Sequence, residues 1–144
     1  MLDRERIPSA QEMTTLIHST LQETVNALCR ELDGMKAVTD FSYTAESVEE
    51  VVDRTRQMVV FLKYSADYLR RALPEDPVRE EMLKIKLHLL SVLRSLSEAV
   101  RAQDKVAAHD LLTEELRDNL TLWKINILPM LRRPLPSPFG SRQS

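Results

Sequence analysis

The chain has 144 residues, which is enough for one compact domain with its own core and too few for two of ordinary size. Apolar residues make up 43% and charged residues 29%, which excludes both a disordered chain and a bundle embedded in a membrane. Glycine occurs twice, and between residues 9 and 128 the only breakers are Gly34, Pro74 and Pro77, so the frequent turns of an all-β fold are excluded. We therefore expect an all-α fold.

Charge and cysteine content favour a cytoplasmic protein. The formal net charge is −2, divided into −5 for residues 1–77 and +3 for residues 78–144, so no overall positive field draws the chain to nucleic acid or anionic lipid. Cys29 is the only cysteine and cannot form an internal disulfide, which is typical of a reducing compartment. The first residues have no apolar signal region, and no run of 18 apolar residues predicts a membrane span.

The first predicted helix has a marked start and a marked end. Ser9 is followed three residues later by Glu12, which is the pattern of a capping box. Apolar residues then recur at steps of three and four as far as about Asp33. Gly34 is expected to stop this helix.

The second predicted helix begins at a cap formed by Thr44 or Ser47 and continues to about Leu73. Residues 74–77 then break the chain, with Asp76 as the next cap and Pro77 at the first helical position. This signal predicts a tight turn between the second and third helices.

The third and fourth helices have the weakest boundary between them. We place it at Gln103 and Asp104, because Asp104 is a good N-cap and the apolar phase changes there. The fourth helix is expected to end near Pro129. The alternative is one helix over residues 78–128, about 75 Å long, which would require a coiled-coil partner.

Four helices with short connections predict an up-down-up-down antiparallel four-helix bundle. The bundle domain is expected to cover residues 1–131. Residues 132–144 are basic and contain Pro134, Pro136 and Pro138, so we expect them to form a mobile proline-rich tail.

Two of the helices carry more apolar surface than one core needs. On the second helix, Phe61, Tyr64 and Tyr68 lie roughly opposite the core stripe. On the third helix, a second apolar row lies about 130° from the core stripe and consists of Leu83, Leu87 and Leu90. Either a single chain buries these rows, or they form a contiguous patch that binds a partner helix or a second copy.

The fourth helix ends in a dense apolar cluster around Trp123. A tryptophan at such a position is either a large core residue or a binding hot spot. We include it among the candidate partner-binding residues, while its role in the core stays open.

Catalytic and metal-binding patterns are absent from the sequence. His18, His88 and His109 fall on three different helices, and none has a second ligand at the spacing that di-metal bundles use. Cys29 has apolar neighbours, which favour an inert buried thiol. Two glycines cannot supply a glycine-rich phosphate loop. We therefore expect no enzyme activity, no metal and no cofactor.

The sequence thus predicts a protein-binding bundle: an adaptor, an assembly factor or a small chaperone. It would capture an amphipathic helix of a partner protein, or form a homodimer, through surplus apolar faces. The candidate partner-binding residues are Phe61, Tyr64, Tyr68, Leu83, Leu87, Leu90 and Trp123. The alternative is a regulator that binds nucleic acid through the more basic half, residues 78–144, although this half has few aromatic residues for stacking.

Overall fold

The computed structural model describes residues 9–37 and 45–133, and these residues form four long helices with no strand. The helices are α1 (Ala10–Lys36), α2 (Ala45–Ala72), α3 (Val78–Arg101) and α4 (residues 105–132). The predicted all-α class is therefore confirmed. Apart from residues 132 and 133, the predicted proline-rich tail lies outside the described residues.

The predicted caps of α1 and α4 are confirmed. At the start of α1, the amide of Glu12 donates to Ser9 Oγ at 3.1 Å, and the amide of Ser9 donates to Glu12 Oε1 at 3.4 Å. At the start of α4, the amide of Ala107 donates to Asp104 Oδ1 at 3.0 Å. Gln103, just before this cap, has a φ of 58°, so the chain leaves the axis of α3 at this residue. A single helix over residues 78–128 is therefore wrong.

The predicted turn between α2 and α3 is also present, because α2 ends at Ala72 and α3 begins at Val78. Asp76 Oδ1 accepts the backbone N–H of Val78 at 2.9 Å, as expected of a residue that caps the helix. Pro77 immediately precedes the helix rather than occupying its first position. Of the two candidate caps of α2, Ser47 lies inside the helix, and Thr44 lies outside the described residues.

The predicted stop at Gly34 is wrong, because α1 continues to Lys36. A glycine inside a helix costs about 1 kcal/mol relative to alanine, which is less than the gain from burying a methionine side chain. Met35 is buried in the core with 7% of its surface exposed. Tertiary packing therefore extends the helix past its weakest residue.

Helix α4 contains two π-helical segments, Leu111–Leu116 and Trp123–Ile127. One stripe of its buried apolar residues recurs mostly every four residues, at Ala108, Leu112, Leu116, Leu120, Trp123, Ile127 and Leu131. This pattern corresponds to about 3.8 residues per turn, so a helix wound at 3.6 would rotate its apolar stripe away from the core. The wider π turns keep the stripe facing inward.

The predicted end of α4 near Pro129 is wrong as well, because helical structure continues through Pro129 to Arg132. Proline lacks the N–H that an α-helix would use at this position. It stands in the first turn of the segment Leu128–Arg132, immediately after the π segment that ends at Ile127, so a change of hydrogen-bonding pattern already occurs there.

Each described helix packs mainly against two others. Helix α1 contacts α2 and α4, and α3 also contacts α2 and α4. All four helices contribute to one core, and its largest fully buried side chains include Leu28 of α1, Leu62 of α2, Leu96 of α3 and Trp123 of α4. Within residues 9–37 and 45–133, no helix combines the length and the apolar character needed to cross a bilayer.

Candidate functional site

The predicted second row on α3 is exposed. Leu83, Leu87 and Leu90 expose 53%, 57% and 39% of their surfaces. The same helix buries Met82, Ile85, Leu89 and Leu96 on its other side, so the row adds nothing to the core that α3 shares with its neighbours. Leucines on adjacent turns of one helix form a continuous apolar strip.

A groove between α2 and α3 runs beside this row. Near the turn at residues 73–77 it opens into a cavity of about 470 Å³ whose lining includes Leu62, Ala66 and Leu83. In the middle it opens into a cavity of about 360 Å³ lined by Val59, Val60, Leu90 and Leu93 with two arginines and a serine. A third cavity of about 420 Å³ follows and is lined by Val52, Val100, Ser97 and charged residues. We call these three cavities together the α2–α3 groove.

Val60 extends the apolar surface onto α2. It exposes 54% of its surface and lines the middle cavity opposite Leu90. Val60 was not among the predicted site residues, because only the aromatic side chains of α2 were considered for this surface. Its spacing of four residues from Tyr64 was a signal that could have identified it.

The aromatic residues predicted on α2 do not all share one face. Tyr64 is exposed over 66% of its surface. Phe61 is half-buried and lines a separate cavity between α1 and α2, together with Thr24 and Met58. Tyr68 is half-buried against the core. Only Tyr64 therefore belongs to the outer surface, and the contiguous patch expected from the sequence is smaller on α2 than predicted.

Trp123, the remaining predicted site residue, lies in the core with 0% of its surface exposed. Its indole Nε1–H donates to Asn119 Oδ1 at 2.9 Å. Asn119 Nδ2 donates to the carbonyl of Ile85 at 3.1 Å and lies 2.9 Å from His88 Nδ1. The ring is therefore a packed and hydrogen-bonded part of the α3–α4 contact, and its side chain offers no surface to a partner.

Basic side chains line both walls of the α2–α3 groove. Arg56 forms an ion pair with Asp53 at 3.5 Å and donates from Nη2 to Ser97 Oγ at 3.4 Å, across the groove. The other basic groups of the walls form no ion pair with a described residue, and they are Lys63, Arg70, Arg79, Lys86, Arg94 and Arg101.

Outside the groove, burial is the main cause of the pKa shifts of Cys29 and His18. Burial raises the pKa of the Cys29 thiol, although Arg117 and Lys124 act in the opposite direction. Burial, and then the positive charge of Arg132, lower the pKa of His18. The described residues include no cluster of three or more His, Cys, Asp or Glu side chains suited to a metal ion.

Comparisons with models of protein families, with curated proteins and with solved structures find no match to this chain. The α2–α3 groove and its surroundings are therefore the basis for inferring function.

Proposed function

We propose that the chain is a non-enzymatic, protein-binding helical bundle that captures an amphipathic helix of a partner protein in the α2–α3 groove. It would act in the cytoplasm as an adaptor, an assembly factor or a small chaperone. The observation that carries the proposal is the row of exposed leucines, Leu83, Leu87 and Leu90, beside a groove whose other wall presents Val60. Grooves of this kind bind the apolar face of a helix.

The length of the groove fits such a partner. Its α3 wall extends from Arg79 to Arg101, which corresponds to about 33 Å at a rise of ~1.5 Å per residue. A partner helix of about twenty residues has this length. Such a helix presents apolar residues at steps of three and four, which matches the spacing of the leucine row.

The proposed architecture is the up-down-up-down antiparallel bundle. Two ion pairs support it. Arg117 of α4 pairs with Asp33 near the end of α1, and Arg133, just after α4, pairs with Asp76 in the turn before α3. Because α1 and α4 would then run in opposite directions, the N-terminal part of α1 would lie near the end of α4, and the electrostatic influence of Arg132 on His18 is consistent with this arrangement.

A designed peptide tests the proposed capture. The probe is a fluorescein-labelled 20-residue peptide with leucines at helical spacing and glutamine at the flanking positions. We expect a Kd of about 100 µM or tighter by fluorescence anisotropy. The double substitution Leu83→Ser and Leu90→Ser should weaken binding about tenfold or more. It removes apolar area from the cavity that Leu83 lines and from the cavity that Leu90 lines.

The matched control carries Leu16→Ser and Ile125→Ser. Leu16 and Ile125 expose 57% and 64% of their surfaces, and both residues lie outside the groove. This control should bind as the wild type does. Circular dichroism of both double variants checks that they remain folded. Absence of binding by the wild type, or equal losses in the two double variants, would overturn the proposal.

The second candidate function is nucleic-acid binding, which the basic walls of the groove favour. Binding to a 20-base-pair DNA duplex that weakens steeply between 0.05 and 0.2 M salt is the signature of phosphate contacts. Such binding, combined with no affinity for the peptide, would support this candidate instead.

A further inference from the structure

The walls of the α2–α3 groove carry the opposite net charge to the whole chain. They contain seven Lys and Arg residues against four acidic ones, Glu49, Asp53, Asp67 and Glu80, a balance of +3 in a protein whose formal net charge is −2. Basic groups that form no ion pair with a described residue are available to an occupant of the groove.

The basic residues also recur with a regular spacing. On α2 they stand seven residues apart at Arg56, Lys63 and Arg70. On α3 they stand seven or eight residues apart, at Arg79, Lys86, Arg94 and Arg101. Seven residues of a helix correspond to two turns and about 10.5 Å. Each wall therefore presents a positive charge on every second turn, on either side of the apolar floor.

We infer that the occupant of the groove is an acidic amphipathic helix, whose apolar stripe packs against Leu83, Leu90 and Val60 and whose flanking carboxylates face the two basic walls. This inference rests on the proposed function. Carboxylates at steps of about seven residues along both flanks of the stripe would match the charge spacing, as the flanking charges of paired helices do in coiled coils. The guanidinium groups of Arg70, Arg79 and Arg94 can each donate two hydrogen bonds to a carboxylate.

The same charges disfavour two other occupants. A second copy of this face would bring its own arginines and lysines against those of the first, and like charges across an interface are repulsive. A basic amphipathic helix would meet the same repulsion. The homodimer expected from the sequence is therefore a poor occupant of this groove.

Two charged versions of the glutamine-flanked peptide test the inference. They keep the leucine stripe and carry either glutamate or lysine at the flanking positions. At 0.05 M NaCl we expect the glutamate peptide to bind at least about tenfold more tightly than the lysine peptide, and at 0.5 M NaCl the ratio should fall below about threefold, because salt screens exposed charges.

A charge reversal in the protein tests the inference more directly. Lys63→Glu with Arg94→Glu changes one exposed basic residue on each wall. The variant should lose affinity for the glutamate peptide and gain affinity for the lysine peptide. Arg30→Glu, at an exposed position of α1 outside the groove, is the control and should change neither affinity by more than about twofold.

The possible failures are distinguishable. If the three peptides bind the wild type equally, apolar capture stands and the acidic occupant is wrong. If none of them binds, both proposals fall. If the protein binds vesicles of phosphatidylserine and phosphatidylcholine but does not distinguish among the peptides, the basic walls recognise a lipid surface and the inference is overturned.

Discussion

Among the described residues, an ion pair joins α1 to α4, whereas no ion pair joins α2 to α3. On the α1–α4 side, Arg117 donates to both carboxylate oxygens of Asp33, at 2.9 and 3.3 Å. In the core between α3 and α4, the indole N–H of Trp123 is likewise satisfied within the chain. On the α2–α3 side, six basic side chains border the groove without an ion pair to a described residue. The exposed Arg117–Asp33 pair occupies its two charges within the chain, whereas basic groups without an ion pair beside apolar surface suit a partner.

Removing Trp123 should have the largest effect on stability. We expect Trp123→Ala to lower the free energy of unfolding by about 3–5 kcal/mol, because it leaves a large cavity and an unpaired Asn119 oxygen. Leu87→Ala should change it by less than about 0.5 kcal/mol, since Leu87 is more than half exposed. Urea unfolding of both variants measures the contrast. Similar losses in the two variants would show that the leucine row supports the core. The row would then not be a surface that is free for a partner.

A smaller effect, of opposite sign, is expected at Gly34. A Cβ at this position would meet no atom within 4 Å, and the backbone is helical. Gly34→Ala should therefore raise the free energy of unfolding by about 0.5–1 kcal/mol, because alanine has the higher helix propensity and less freedom in the unfolded chain. Thermal unfolding, monitored by circular dichroism, tests this predicted stabilisation. The peptide affinities should not change, since Gly34 lies outside the groove, and they serve as the control. A lower Tm would contradict the prediction.

The smallest effect concerns the exposed ion pair of Asp33. The hydrogen bond from Arg117 lowers the pKa of Asp33 below its ordinary value of 3.8. A carboxyl whose pKa is lower in the folded state stabilises the fold above the unfolded-state pKa, and this contribution is lost as the pH falls through the folded-state value. The urea midpoints of wild type and Asp33→Asn should therefore differ at pH 6 and converge below pH 3.8. A difference that stays constant over this pH range would show that the ion pair does not contribute.

Local signals in the sequence predicted the starts of α1 and α4. The Ser9–Glu12 box and the Asp104 cap depend on side chains within three residues of the amides they bind, so their pattern is complete in the sequence. The ends at Gly34 and Pro129 could not be predicted in the same way. The first depends on the burial of Met35, and the second on the π segment before Pro129.

The candidate site was predicted in part, for a geometric reason. Helical periodicity gives the angle of a side chain about its own axis, and this correctly left Leu83, Leu87, Leu90 and Tyr64 outside the core. It does not give the position of the neighbouring helix. The half-buried positions of Phe61 and Tyr68 depend on that neighbour. The spacing of the basic residues was visible in the sequence, but its meaning required knowing that α2 and α3 lie side by side.

The hydrogen bond from Arg56 to Ser97 divides the α2–α3 groove into a shorter and a longer binding length. It crosses the groove between the middle cavity and the one at Val52 and Val100, since both residues line both cavities. A segment of about fifteen residues, reaching from Arg79 to Arg94, fits beside the intact bond. A helix of about twenty residues, which follows the whole groove, would pass this bond. Because the bond is a solvent-exposed contact of 3.4 Å, little is lost if Arg56 donates instead to a carboxylate of the occupant.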